Sequence, residues 1–282
     1  MKVLVTGVNG QLGYDVCKIL AARNVKYLGV DINDFDITDP QATHDYLMGY
    51  RPDAVIHCSA WTAVDAAEDQ VEKVRSVNAD GPRNIAAACR ELDAKMVYIS
   101  TDYVFPGTGT QFYETDDQTG PLGVYGATKL EGELAVKEIL EKYFVVRVSW
   151  VFGKNGNNFV KTMLRLSETT DEVCVVDDQV GSPTYTADLA QLLCDMIETE
   201  RYGTYHASNE GTCSFAEFAE EIFSQAGKNV RVLHVSSSEY PTKARRPLNS
   251  RLSKRSLEVS GFKLLQPWQN ALHDYLLEIG RK

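Results

Sequence analysis

The feature that most constrains this chain is seven residues long: GVNGQLG at 7–13, with glycines at three-residue spacing directly behind the apolar run KVLVT (2–6). A strand that turns sharply into a helix needs a residue without Cβ at the turn. It needs a second where the backbone meets a pyrophosphate, and a third where the helix packs back on the strand. Gly7, Gly10 and Gly13 suit those three places. A helix beginning near Gly10 would aim its unpaired N–H groups and the positive end of its dipole at the phosphates. A tight turn with no ligand would use the same glycines, so the rest of the chain has to decide.

Short apolar runs recur at 2–6, 26–30, 53–57, 95–100, 144–149, 203–207 and 230–235. Segments of helical period separate them at 11–23, 40–50, 69–92, 124–142, 157–168 and 186–199. This alternation predicts parallel strands joined by crossover helices, hence an α/β chain with a Rossmann-type doubly wound sheet. Thr38–Asp39 before Pro40 mark a helix start. The regular pattern covers 1–150, the expected dinucleotide-binding domain, with further elements of it from about 175–200 and 230–255. The irregular stretches of 151–282 (GKNGNN, DDQVGSPTYT, YPTKARRPLNSRLS) predict a smaller, interleaved C-terminal lobe for substrate. Ligands of an open parallel sheet sit beyond the carboxyl ends of its strands, and that is where chemistry is expected.

Composition excludes several classes. A formal charge of −10 argues against nucleic acid or an anionic membrane as partner. No apolar run approaches the ~20 residues of a membrane span, and the stretch before Gly7 is too brief for a signal peptide, so a cytoplasmic protein is expected. Six cysteines lie scattered without a C-x-x-C pair and read mostly as small buried apolar residues. The C-terminal HDYLLEIGRK has too few carboxylates to argue a magnesium site, and no metal is expected. A monomer or a homodimer fits equally.

Asp31 stands 18 residues beyond Gly13 at the end of the second run, where a carboxylate can accept both hydroxyls of an adenosine ribose. A 2′-phosphate there would meet like charge, so NADH is the expected cofactor and NADPH the alternative. Asp36 and Ile37 are in a position to sit against the adenine. In VYGATKLEGE, Tyr125 and Lys129 are four apart and share one helix face. They follow a strand whose end, YISTDYVF, carries Ser100 and Thr101. Reducing a ketone by hydride calls for a proton donor working near neutral pH, whereas free Tyr titrates near ~10. The ammonium of Lys129 and an oxidised nicotinamide ring would lower that value, Lys129 would also hold the nicotinamide ribose, and Thr101 would hydrogen-bond the reacting oxygen.

TGxxGxxG near the N-terminus together with YxxxK after the fourth strand resembles the extended short-chain dehydrogenase/reductase superfamily. Within it, GVNGQLG, DITD (36–39), SAWTAVDAAE (59–68), VNADGPRNIA (77–86), ISTDYVF (99–105), YGATKLEGE (125–133), RVSWVFG (147–153) and DDQVGSPTYTADLA (177–190) resemble the dTDP-4-dehydrorhamnose reductase family over almost the whole chain. That family reduces the 4-keto group of dTDP-6-deoxy-L-lyxo-4-hexulose to give dTDP-L-rhamnose. The resemblance implies a catalytic set of Thr101, Tyr125 and Lys129, and cofactor contacts at Gly10, Gln11, Leu12, Asp36, Ile37, Ala60, Trp61 and Thr62. It implies substrate contacts at Thr101, Asp102 and Trp150. Arg246, with Arg245, supplies charge suited to a nucleotide diphosphate. Related dehydratases show Thr-Asp-Glu where this chain has Thr101-Asp102-Tyr103, and the missing Glu favours simple ketone reduction. Two alternatives stay open: another nucleotide-sugar 4-ketoreductase or epimerase, and a non-catalytic partner resembling the regulatory subunit of methionine adenosyltransferase.

Overall fold

The computed structural model describes residues 1–281. Its centre is a parallel sheet of six strands in the spatial order 26–30, 2–6, 54–57, 95–101, 143–148, 203–206. Strand residues alternate between faces, and the two faces bury different helices. Val3 and Val5 pack with Val16, Leu20, Leu189 and Leu193, which brings the helices Gln11–Ala22 and Thr186–Ile197 onto one face. Leu4 and Val55 pack with Leu47, Ile85 and Val136, which brings Pro40–Tyr50, Gly81–Leu92 and Val124–Ile139 onto the other. The strand order reverses between 2–6 and 54–57, so the crevice for a ligand opens at the carboxyl ends of these two strands.

Local signals explain some helix boundaries. Asp39 caps Pro40–Tyr50 by accepting from the Gln41 and Ala42 amides, with Pro40 pre-set at the first position. The stretch 69–92, expected as one helix, is broken instead into Val71–Arg75, a π-helical turn Ser76–Asp80 and Gly81–Leu92. Pro82 causes part of this. It has no N–H for the carbonyl four residues back, Asn78, and that carbonyl accepts the Tyr98 hydroxyl at 3.1 Å.

A second core lies in the C-terminal part, where Phe152, Met163, Phe218, Ile222, Trp268 and Tyr275 join the helices Phe159–Leu166, Phe215–Gln225 and Trp268–Glu278. The run 230–235, expected among the strands of the main sheet, is corrected here: Arg231–Val235 pairs with Glu172–Val176 in a separate two-stranded sheet. Its apolar residues are only half-buried there, with Val230 and Val232 packed against the second core. Cys174 on that ribbon is exposed, whereas Cys89, Cys194 and Cys213 are buried. Among the described residues no helix is long and apolar enough to cross a membrane.

Candidate active site

The glycine loop is built as its spacing requires. Gly7 has φ +70°, and a Cβ on it would lie 2.8 Å from the Ser59 amide nitrogen at the end of the neighbouring strand. A Cβ on Gly13 would lie 2.3 Å from the Gly7 carbonyl oxygen, so this residue lets helix and turn pack backbone to backbone. Gly10 caps the helix Gln11–Ala22 with no side-chain hydrogen bond, which leaves the helix N-terminus free to meet an anion.

These features border a cavity of about 910 Å³. Gly7, Gly10, Gln11 and Leu12 line one end together with Asp31, Asp36 and Ile37. Both Asp31 oxygens accept backbone N–H groups, Oδ2 from Asn9 and Oδ1 from Ile32, each at 2.9 Å, which fixes the carboxylate at the mouth. Ala60 and Thr62 follow along the wall, and Thr101, Asp102, Tyr125, Lys129, Trp150 and Arg246 line the other end. Gly13 and Trp61 are not among the lining residues. Gly13 packs against the turn. The Trp61 backbone is pinned by Asn78 on both its N–H (2.8 Å) and its carbonyl (3.2 Å), and its indole N–H donates to the Ala63 carbonyl. Lys73 covers its ring. Trp61 thus lies between two lining residues, with its indole held at Ala63 and Lys73.

A dinucleotide fits the residues present: a tight glycine turn with no room for a Cβ at Gly7 or Gly13, an uncapped helix N-terminus, and the Asp31 carboxylate at the mouth. The reacting end fits as well. Thr101 ends the strand Lys95–Thr101, and the helix Val124–Ile139 carries Tyr125 and Lys129 along its first turns. The start of that helix is capped from outside, by Glu68 accepting the Val124 amide at 2.9 Å.

Charge and burial at this end differ from the expectation. Lys129 is 2% exposed, its ammonium lies 4.1 Å from the centre of the Tyr98 ring, and burial pulls its pKa down to about 7 against the opposing pull of Glu133. Tyr125 is expected to be acidified by Lys129. Instead burial pushes the phenol well above its usual value, the nearby Thr101 hydroxyl opposes this, and Asp102 and Tyr103 add to the rise. One helical turn sets the two side chains on one face; it does not decide where the ammonium points. The Glu133 charge is itself engaged by Arg147, at 2.9 and 2.8 Å.

Thr101 donates to Asp102 Oδ1 at 3.0 Å and accepts the Tyr103 amide at 3.3 Å. Asp102 also accepts the Ser250 hydroxyl, and burial raises its pKa to about 6. Trp150 takes φ +48°, a conformation that bulky side chains rarely adopt, and stacks on Phe215 with ring centres 3.7 Å apart. Arg246 donates to the Tyr103 hydroxyl at 3.2 Å and pairs with Asp65 at 2.5 Å, so it reaches the cavity already partnered.

Several contacts of the site leave no signal in the sequence. Asn78 ties the 59–62 loop to the helix Val124–Ile139 by donating also to Thr128 at 3.3 Å. The Gln11 side chain accepts the Gly153 amide (2.8 Å) and Asn158 (3.0 Å), which closes the GKNGNN loop over the glycine turn. The irregularity of GKNGNN was visible, and its partner was not. Ser250 gave no signal.

With this geometry in hand, the comparisons are specific. The family model described as RmlD substrate binding domain matches residues 1–280. The dTDP-4-dehydrorhamnose reductase of Streptomyces griseus is 41% identical, over 95% of this chain and 91% of that protein. The spore coat polysaccharide biosynthesis protein SpsK of Bacillus subtilis is 40% identical, over 98% and 97%. A crystal structure of dTDP-4-dehydrorhamnose reductase from Bacillus anthracis in complex with NADP is 44% identical, covers 98% of this chain and 99% of that one, and superposes with a TM-score of 0.96.

Proposed function

Since the chain belongs to the family described as RmlD substrate binding domain, we propose that it reduces the 4-keto group of dTDP-6-deoxy-L-lyxo-4-hexulose, giving dTDP-L-rhamnose. The observation that carries this reading is the meeting of Thr101, Tyr125 and Lys129 with the glycine cradle in one cavity. A bound reduced nicotinamide supplies the hydride for the carbonyl carbon. The protein's residues supply the rest.

Tyr125 gives its proton to the carbonyl oxygen, which becomes the C4 hydroxyl of the product. Its raised pKa keeps the phenol protonated at neutral pH, the state a donor must be in. The same shift makes the proton harder to release. Thr101, which favours the ionised phenol, lowers that cost as the proton leaves, and Lys129 holds the nicotinamide ribose. Asp31 and the helix N-terminus hold the far end of the dinucleotide. The Bacillus anthracis relative is in complex with NADP, and this chain is proposed to accept NADPH as well as NADH. Trp150 offers the sugar an apolar face, and Arg246 exchanges Asp65 for the diphosphate. The same reading places the protein in the cytoplasm as a monomer or homodimer.

The test is a panel of 4-keto nucleotide sugars with NADH or NADPH. Stoichiometric cofactor oxidation with the dTDP-linked 6-deoxy-4-hexulose is expected. An interconversion of 4-epimers that consumes no added cofactor would replace reductase by epimerase.

A further inference from the structure

The buried carboxylate of Asp102 sits between two hydroxyls drawn from distant parts of the chain. On one side it accepts Thr101 through Oδ1, and on the other it accepts Ser250, 148 residues away, through Oδ2. All three side chains are at most 5% exposed. Each oxygen thus has one hydroxyl donor, and solvent has little access to replace either.

We propose that Ser250 is a positioning residue for the reaction: its hydroxyl anchors the Asp102 carboxylate, which in turn holds the Thr101 hydroxyl beside Tyr125. This rests on the reduction proposed above and goes beyond it, because it makes the C-terminal lobe part of the proton-handling end of the site.

The surroundings of Ser250 are built for such a task. It ends the short strand Asn249–Ser250, which pairs with Val180–Gly181, and that strand pairs with Cys213–Ser214. Gly181 makes room for it: a Cβ there would lie 2.9 Å from the Ser250 Cβ and 3.0 Å from the Trp150 indole. One small residue therefore admits both the anchoring serine and the tryptophan that lines the cavity. Asn249 adds two hydrogen bonds, to the carbonyls of Thr108 (3.2 Å) and Gln111 (2.8 Å), so the strand is tied to the segment that follows the catalytic strand end. With the carboxylate ionised, the single Thr101 proton rests on Asp102, which fixes the Thr101 oxygen beside Tyr125; that proton turns to the phenol oxygen as Tyr125 ionises. Without Ser250, Oδ2 loses its hydroxyl donor, and the carboxylate is held only by Thr101 and the Asp102 and Tyr103 amides, with more freedom to tilt toward the cavity.

The groups that face Asp102 are Thr101, Ser250, the Tyr103 amide, and the phenols of Tyr103 and Tyr125; Arg246 stands one hydrogen bond further off, on Tyr103. Removing the Ser250 donor should move the Asp102 ionisation upward. A carboxylate that served only to bind a sugar hydroxyl would instead register in KM.

The experiment is steady-state kinetics of the full chain, with reduced cofactor and the dTDP-linked 4-keto sugar, for wild type, Ser250→Ala, Asp102→Asn and the double variant. Melting and cofactor binding serve as controls for folding. In Ser250→Ala, kcat should fall about tenfold with KM changed by less than about threefold, the scale of one hydrogen bond to a charged group. The inflection of kcat on the acid side should move to higher pH. The double variant should be no slower than Asp102→Asn alone, because Ser250 acts through Asp102. An unchanged kcat, a loss confined to KM, or a further loss in the double variant would overturn the inference. If Ser250→Ala does not fold, comparing the double variant with Asp102→Asn still decides, since both lack the buried charge. A wild type that fails to oxidise the cofactor would count against the proposed function instead.

Discussion

Replacing Lys129 by Met tests the electrostatics of the site through stability, where the sign follows from burial. The ammonium is 2% exposed against the Tyr98 ring, and its pKa falls from the ordinary 10.5 to about 7. A lysine whose folded pKa lies below its unfolded one binds fewer protons in the folded state. It therefore costs stability fully below the folded value, and that cost is relieved as pH rises through the unfolded value. At about 1.4 kcal/mol per pKa unit the cost is about 4 kcal/mol near pH 7 and about 2 kcal/mol near pH 9. Met has similar length and no charge to desolvate. Lys129→Met should therefore melt above wild type at pH 7 by about 8–16 °C, at about 2–4 °C per kcal/mol for a chain of this size. The advantage should shrink steadily toward pH 9. Turnover should fall at least about 10²-fold in the same variant. Melting curves recorded at both pH values in parallel decide the matter: a constant offset between the two proteins means that Lys129 keeps an ordinary pKa and is solvated or paired in the folded state.

Other substitutions address the remaining parts. Tyr125→Phe should bind cofactor as wild type does while turnover drops about 10²-fold or more, the usual scale for a lost general acid; unchanged turnover removes Tyr125 from the mechanism. Asp31→Ala should narrow any preference for NADH over NADPH, read as the ratio of the two kcat/KM values, and a ratio that stays put means the carboxylate does not read the ribose. Gly13→Ala, with its Cβ 2.3 Å from a backbone oxygen, should destabilise by about 3 kcal/mol, whereas Gly49→Ala, with nothing within 4 Å, should stabilise by up to about 1 kcal/mol. Equal melting shifts for these two would show that the glycine turn is not close-packed.

What could be read from the sequence was what a short stretch decides for itself. GVNGQLG announces its turn because φ +70° and two backbone approaches leave no room for a Cβ. Asp39-Pro40 announces a helix start because cap and first turn lie within a few residues. Tyr125 and Lys129 share a helix face because four residues make about one turn. The acidity of those residues was beyond reach, since desolvation depends on everything packed around Tyr98 and Thr101 and not on a spacing. Trp61 shows the same limit in geometry: its motif placed it on the loop, but Asn78, 17 residues on, holds its backbone.

The links that complete the cavity are longer still. Gln11 meets Gly153 across 142 residues, Arg246 meets Asp65 across 181, and Ser250 meets Asp102 across 148. A hydrogen bond between such partners leaves no periodicity at either end, because each residue is an ordinary polar one in its own neighbourhood. Only the fold makes them neighbours. The strands of the Rossmann half carry their ligand ends to one crevice, and the lobe supplies from the far end of the chain the groups that orient what lies there. The residues proposed for the chemistry were thus legible, while the long-range contacts that join Gln11, Asp65 and Ser250 to their partners were not. That is why substitutions at Gln11, Asp65 and Ser250 probe the architecture more severely than substitutions at the glycines. The glycines test a motif whose local geometry already demands them, whereas each long-range partner tests whether the two halves of the molecule act as one site.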